Sequence, residues 1–224
     1  THGTPVAGLV AGSTTGLAPG VRLLPVKIFS DSGSDPAFEQ AAIDGIQYAI
    51  DEGADVIQIS WTLDGSPGAA FDAVFAAAEA AGVVVVVAAG NDAQDLDASP
   101  EFPASYPNVI TVAGTDRYDR FVDLPGLFVS ASGPATVELA APTEKLTSTS
   151  SFVPGGEFPF TGTSAAAPLV SATVALMLSV NPPLTPPQVR AMLLASSDPL
   201  PSLSGRVAGG RLNAGNAVLL ATGE

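Results

Sequence analysis

The chain contains no cysteine. Disulfides, thiolate metal centres and cysteine nucleophiles are therefore excluded. At 224 residues it needs no such staples, because one domain of that size buries a sizeable core. Cations are almost as scarce. Lysine occurs only at Lys27 and Lys145, and the 8 Lys+Arg against 22 Asp+Glu leave a net charge of −14. No basic stripe exists that could hold nucleic acid or an anionic membrane, so neither is expected as a partner. Acidity of this kind is an ordinary solvated surface. Long hydrophobic runs are missing too. The longest, Ala80 to Ala89, is about half of what a membrane span requires. No secretory leader is visible, and the chain opens Thr1-His2 rather than with Met. Only one histidine is present, and Gly-x-Gly-x-x-Gly and Gly-Lys-Ser/Thr loops are absent, which argues against a nucleotide-binding domain.

What remains is rich in core residues: 46% apolar against 13% charged, a globular rather than a disordered composition. Strand and helix patterns alternate along it. Strands are predicted at Val21 to Phe29, Asp55 to Ser60, Val83 to Ala88, Val109 to Ala113 and Thr136 to Ala140. The valine run between Gly82 and Gly90 reads as a strand buried on both faces. Phe38, Ala42, Ile46, Ala49 and Ile50 fall on one helical face, with Asp35-Pro36 as a start signal and Gly53 as the stop. Ser66-Pro67 opens a second helix ended by Gly82, and Thr185-Pro186-Pro187-Gln188 fits a capping box for a third, reaching about Ala195. Ser148 to Thr163 reads as one long loop. The expectation is a single α/β domain over residues 1–224, with a mostly parallel central sheet and helices on both faces.

Three motifs could carry chemistry. His2 lies in His2-Gly3-Thr4-Pro5-Val6-Ala7-Gly8, where Gly3 and Gly8 permit close backbone approach at a helix start. A lone histidine is more often structural. Ser164 lies in Gly162-Thr163-Ser164-Ala165-Ala166-Ala167-Pro168, ahead of an apolar helical run from Leu169 to Leu178. A hydroxyl at a helix N-terminus is commonly a cap, but it also sits where free N–H groups favour developing negative charge. Pro168 suits a first helical turn. Asn91 ends Ala88-Ala89-Gly90-Asn91 after the valine strand. There it is either a turn residue or an amide that donates into a site at the sheet's carboxyl edge.

Together, in this order, the three motifs resemble those of the subtilisin-like serine peptidases (subtilases, peptidase S8): His-Gly-Thr-x-Val-Ala-Gly, Ala-Ala-Gly-Asn and Gly-Thr-Ser-x-Ala-x-Pro. Leu17-Ala18-Pro19-Gly20 and Gly210-Arg211-Leu212-Asn213-Ala214 are also family-like, and the resemblance covers essentially the whole chain. It implies that Ser164 is the nucleophile, that His2 is the general base, and that Asn91 helps hold the oxyanion. Ser60-Trp61-Thr62 and Ala88-Ala89-Gly90 would border the substrate cleft, although relatives often carry Gly where Thr62 stands. Glu101 would fall near the base of the P1 pocket, suggesting tolerance of a basic P1 residue. Protein or peptide substrates, no catalytic cofactor and a secreted or extracytoplasmic location are implied as well. Structural Ca²⁺ is implied by family habit, with carbonyls of Ala104, Tyr106 and Val109 and nearby Glu138 as one candidate set of oxygen ligands.

The departures are informative. The family's third triad member is an Asp on a strand well before the His, and only Thr1 precedes His2. The expectation is therefore an N-terminally incomplete domain lacking that strand, completed by a missing N-terminal segment or a propeptide, and close to inactive alone. Asp31 and Asp55 lie near predicted strand ends, with no reason to promote either. Pro5 and Leu169 stand where relatives often carry a second His, and Thr143 replaces a frequent Gly in the approach to Ser164. The sedolisin branch, with Glu and Asp partners, is disfavoured by His2 and Asn91. The rival reading is a subtilase-like domain that binds without catalysing.

Overall fold

The computed structural model describes residues 2–30, 38–63, 67–124 and 126–223. The start signals Asp35-Pro36 and Ser66, together with Asp31 and Thr1, lie outside the described residues. In chain order the elements are α1 (Gly3–Ala11), α2 (Phe38–Asp51), β1 (Val56–Ile59), α3 (Ala69–Ala80), β2 (Val84–Ala88), β3 (Ile110–Thr115), β4 (Asp123–Leu124), β5 (Phe128–Val129), β6 (Leu139–Pro142), β7 (Leu146–Thr149), β8 (Glu157–Phe160), α4 (Thr163–Val180), α5 (Pro186–Ser196) and α6 (Ala214–Thr222). A short 3-10 turn, Pro201–Leu203, precedes α6.

The central sheet runs β1-β2-β3-β6 and is parallel throughout. Every residue of β2 is buried, as the valine run requires. The two-residue period of a strand sends its side chains to two separate cores. Val85 and Val87 meet Ala42 and Ile46 of α2 and Phe71 and Phe75 of α3. Val84 and Val86 meet Val170, Val174 and Met177 of α4, Val189 and Leu193 of α5, and Ala217 of α6. The result is the expected three-layer α/β/α architecture. By length and composition α4 could cross a bilayer, yet it serves here as a core helix, 61% buried.

Several expectations shift. Val21 to Phe29 is not a strand: no ladder forms there among the described residues, and Leu23, Leu24, Val26 and Phe29 are exposed. Pro25 supplies no donor, and the segment instead lies on α2, with Val26 and Ile28 over Gly45 and Phe29 stacked on Phe38. The Thr136 strand begins later, at Leu139, because Thr136 and Val137 fold back to bond the Gly133 carbonyl. Helix α3 starts after Gly68, so Pro67 precedes its cap. Pro168 sits in the body of α4 rather than its first turn, where it has no N–H to return to the Ser164 carbonyl. The long loop from Ser148 to Thr163 is largely ordered: β7 and β8 pair antiparallel from Leu146↔Phe160 to Thr149↔Glu157. The Gln188 half of the capping box forms, its Oε1 accepting the Thr185 N–H at 2.9 Å.

Candidate active site

Parallel strands end together, and their carboxyl ends form a rim. Ile59 pairs with Val87, so Ser60-Trp61-Thr62 and Ala88-Ala89-Gly90 leave the sheet side by side. Ala88, Ala89 and Gly90 are buried. The backbone of Gly90 is already committed: its N–H donates to Thr163 Oγ1 at 3.2 Å, and its carbonyl accepts from Ala131. This segment is therefore a wall rather than a free edge. Trp61 turns partly inward, edge-on to Phe38 at 5.4 Å, while Thr62 is exposed.

Asn91 continues that wall and reaches α4. Its Oδ1 accepts the backbone N–H of Thr163 at 2.9 Å and the Thr163 hydroxyl at 3.2 Å. An amide whose oxygen is held this way turns its NH₂ to the opposite side. Gly162, the N-cap of α4, has φ +118°, a conformation that L side chains rarely adopt. The turn therefore needs glycine, and it delivers Ser164 as the second residue of a helix with open N–H groups. Ser164 does not cap that helix, contrary to the plain structural reading of its motif.

His2 stands at the mouth of α1, immediately before Gly3. α1 packs on α4, with Val6 and Leu9 meeting Ala165 and Phe160 in one small core. The His2 ring lies edge-on to Phe160, centroids 5.5 Å apart. The first turn of α1 is fastened to β7: Ser148 donates to the Pro5 carbonyl at 2.6 Å and Thr149 to that of Thr4 at 2.9 Å. Gly8 faces the same two side chains, while Gly3 faces open space, so only Gly8 serves close approach. Desolvation by burial holds His2 below its usual pKa. Its neutral form, the one that accepts a proton, is thereby favoured. Among the described residues no carboxylate pairs with the ring.

Glu101 abuts the wall. Its Oε2 lies 3.3 Å from where a side chain on Gly90 would begin. Burial, and then the charge of Asp92, raise its pKa above the ordinary carboxylate range. Two of the proposed calcium ligands already have protein partners. The Ala104 carbonyl accepts the Thr111 hydroxyl at 2.6 Å, and Glu138 is ion-paired to Arg190 and accepts the Thr111 N–H at 2.6 Å. Among the described residues no cluster of three or more acidic or His side chains could hold a metal ion. A cavity of about 240 Å³ lined by Val84, Ile110, Asn108 and Arg190 opens at the amino ends of β2 and β3, away from this rim.

Sequence reasoning missed Thr163, although its motif contained it, and Phe160, which lay inside an apparent loop. Neither residue type announces its role; only the contacts with Asn91 and His2 do.

Residues 1–217 match a family model described as the subtilase family. The chain is 34% identical to fervidolysin of Fervidobacterium pennivorans, over 86% of this chain and 30% of that protein. It is 34% identical to the extracellular serine proteinase of Thermus sp. (strain Rt41A), over 88% of this chain and 46% of that protein. With subtilisin E of Bacillus subtilis (strain 168) the figures are 34%, 86% and 49%. The chain thus spans less than half the length of these relatives. The solved structure of the prenylagaramide maturation protease PagA superposes with a TM-score of 0.85 at 29% identity, covering 100% of this chain and 83% of that one.

Proposed function

The chain belongs to the subtilase family, and from that premise we propose that it is the core of a serine endopeptidase acting through an acyl-enzyme on Ser164. Ser164 Oγ attacks the scissile carbonyl carbon while His2 takes its proton. The oxyanion is held by the Asn91 side-chain NH₂ and the Ser164 backbone N–H. The C–N bond then breaks, His2 protonates the leaving amine, and water hydrolyses the ester by the reverse sequence of proton transfers. Ser60-Trp61-Thr62 and Ala88-Ala89-Gly90 flank an extended substrate segment. Glu101 at the wall favours a basic residue in the P1 position. The chemistry calls on no cofactor, and the substrates are flexible segments of proteins outside the cytoplasm.

One observation carries this reading: Asn91 grips Thr163, which puts a fixed amide beside Ser164 at an open helix N-terminus. The packing of α1 on α4 supports the part given to His2. A non-catalytic binding module is the second reading. A fluorophosphonate probe separates the two. Labelling of Ser164 in the complete gene product, lost in Ser164→Ala together with peptide hydrolysis, is the expected result. A folded gene product that neither labels nor hydrolyses casein peptides is the second reading.

A further inference from the structure

The turn before Ser164 is held from two sides. Asn91 takes the N–H of Thr163, as described. The other hold comes from Thr143, the residue after β6, where the family often carries Gly. Its hydroxyl donates to the carbonyl of Gly162. Its own N–H donates to the Thr115 carbonyl at 3.0 Å, which fixes it to the end of β3. Thr143 is fully buried. Space for its methyl exists only because residue 114 is glycine: a Cβ there would lie 2.5 Å from Thr143 Cγ2. The Gly162 carbonyl also accepts from Ala165 N–H at 2.8 Å, in the first turn of α4. The peptide entering the nucleophile's helix is therefore bonded both to the sheet and to the helix.

We propose that Thr143 is a positioning residue: its hydroxyl, seated against Gly114, fixes the Gly162 peptide and hence the aim of Ser164 and its N–H. This rests on the reading of Ser164 as nucleophile. A small rotation of the Gly162 peptide swings Ser164 relative to both His2 and Asn91, and misplacement on the ångström scale costs up to about 10²-fold in rate. Packing alone makes a different demand, since it needs the threonine's shape and not its O–H.

The experiment uses the complete gene product, with kcat and KM on a peptide substrate, the rate of fluorophosphonate labelling, and Tm. Thr143→Val keeps the shape and removes the donor, Thr143→Ala removes both, and Thr143→Ser keeps the donor. Val and Ala variants should lose about 10-fold or more in kcat and in labelling rate with KM within about twofold. The Ser variant should stay within about threefold of the parent. The proposal is overturned if Thr143→Val or Thr143→Ala stays within threefold while Ser164→Ala is inactive. It is equally overturned if Thr143→Ser falls as far as Thr143→Val, or if Val and Ala variants fail to fold while Ser is normal, since the threonine would then be structural. Activity surviving in Ser164→Ala would instead refute the nucleophile assignment on which the proposal rests.

Discussion

Replacing Gly8 by Ala sets two rules of opposite sign against each other. Gly8 lies within α1, and helix propensity alone favours Ala there by about 1 kcal/mol. Packing opposes it. The new methyl would fall 2.5 Å from Ser148 Oγ and 2.9 Å from the backbone nitrogen of Thr149. Backbone on one side cannot move cheaply, so overpacking costs about 1–3 kcal/mol. Ser148 is fully buried, and its bond to the Pro5 carbonyl at 2.6 Å is the one most directly disturbed, at about 1 kcal/mol. Set against the propensity gain, the net is a destabilisation of about 1–3 kcal/mol. Urea unfolding of the complete gene product measures it. Because α1 carries His2 at its mouth, kcat should fall as well, with little change in KM. A Gly8→Ala protein more stable than the parent would show that α1 and β7 are not in firm contact, and the account of how His2 is held would fail with it.

Asn91→Ala should lower turnover by about 10²–10³, the loss found in subtilisin for its own oxyanion donor; a loss below tenfold would take Asn91 out of the oxyanion site. Glu101→Gln should reduce the preference for Arg over Phe at P1 in matched peptides, and an unchanged ratio would dismiss Glu101 as a specificity residue. Burial pushes Glu138 up to about 7 despite Arg190 and the Thr111 N–H. With its folded-state pKa raised, Glu138 lends stability in full below the ordinary carboxylate range, and that contribution is lost as pH rises through about 7. Arg190→Ala removes the compensation for the ionised form. It should cost about 2–3 kcal/mol at pH 8, below the full cost of breaking a buried pair because Arg190 is 38% exposed, and clearly less at pH 5. An equal loss at both pH values would mean that Glu138 does not change protonation in that interval.

Much of the sheet and of its helical flanks was legible because burial on two faces leaves a plain mark. Five consecutive valines between glycines can hardly be anything but a central strand, and the spacing of Ala42, Ile46 and Ala49 matches the face that α2 buries. The first predicted strand failed for a reason outside its own residues. Val21 to Phe29 has the composition of a strand, but a strand exists only by pairing, and no ladder forms there among the described residues. The β7–β8 hairpin failed the other way. Its Gly, Pro and Ser content resembles a loop, yet Phe158 and Phe160 gain a core with Val6, Leu9 and Ala165 that no local window can foresee.

The site divides along the same line. His2, Asn91 and Ser164 stand out as candidates because each is embedded in a motif whose neighbours are there for backbone reasons: Gly8 for the approach to β7, Gly162 for its positive φ. Thr163 and Thr143 carry no such mark. Each is a threonine among many, and each matters through hydrogen bonds to a partner 72 or 19 residues away. Such a bond is worth about 1 kcal/mol to folding, too little to constrain the local pattern of the sequence. Its value to a reaction is set by a different measure, since the direction in which a buried hydroxyl holds one carbonyl decides where Ser164 points. Residues that position a nucleophile without touching substrate therefore become visible only once distant segments are seen together, and Thr143 is such a case.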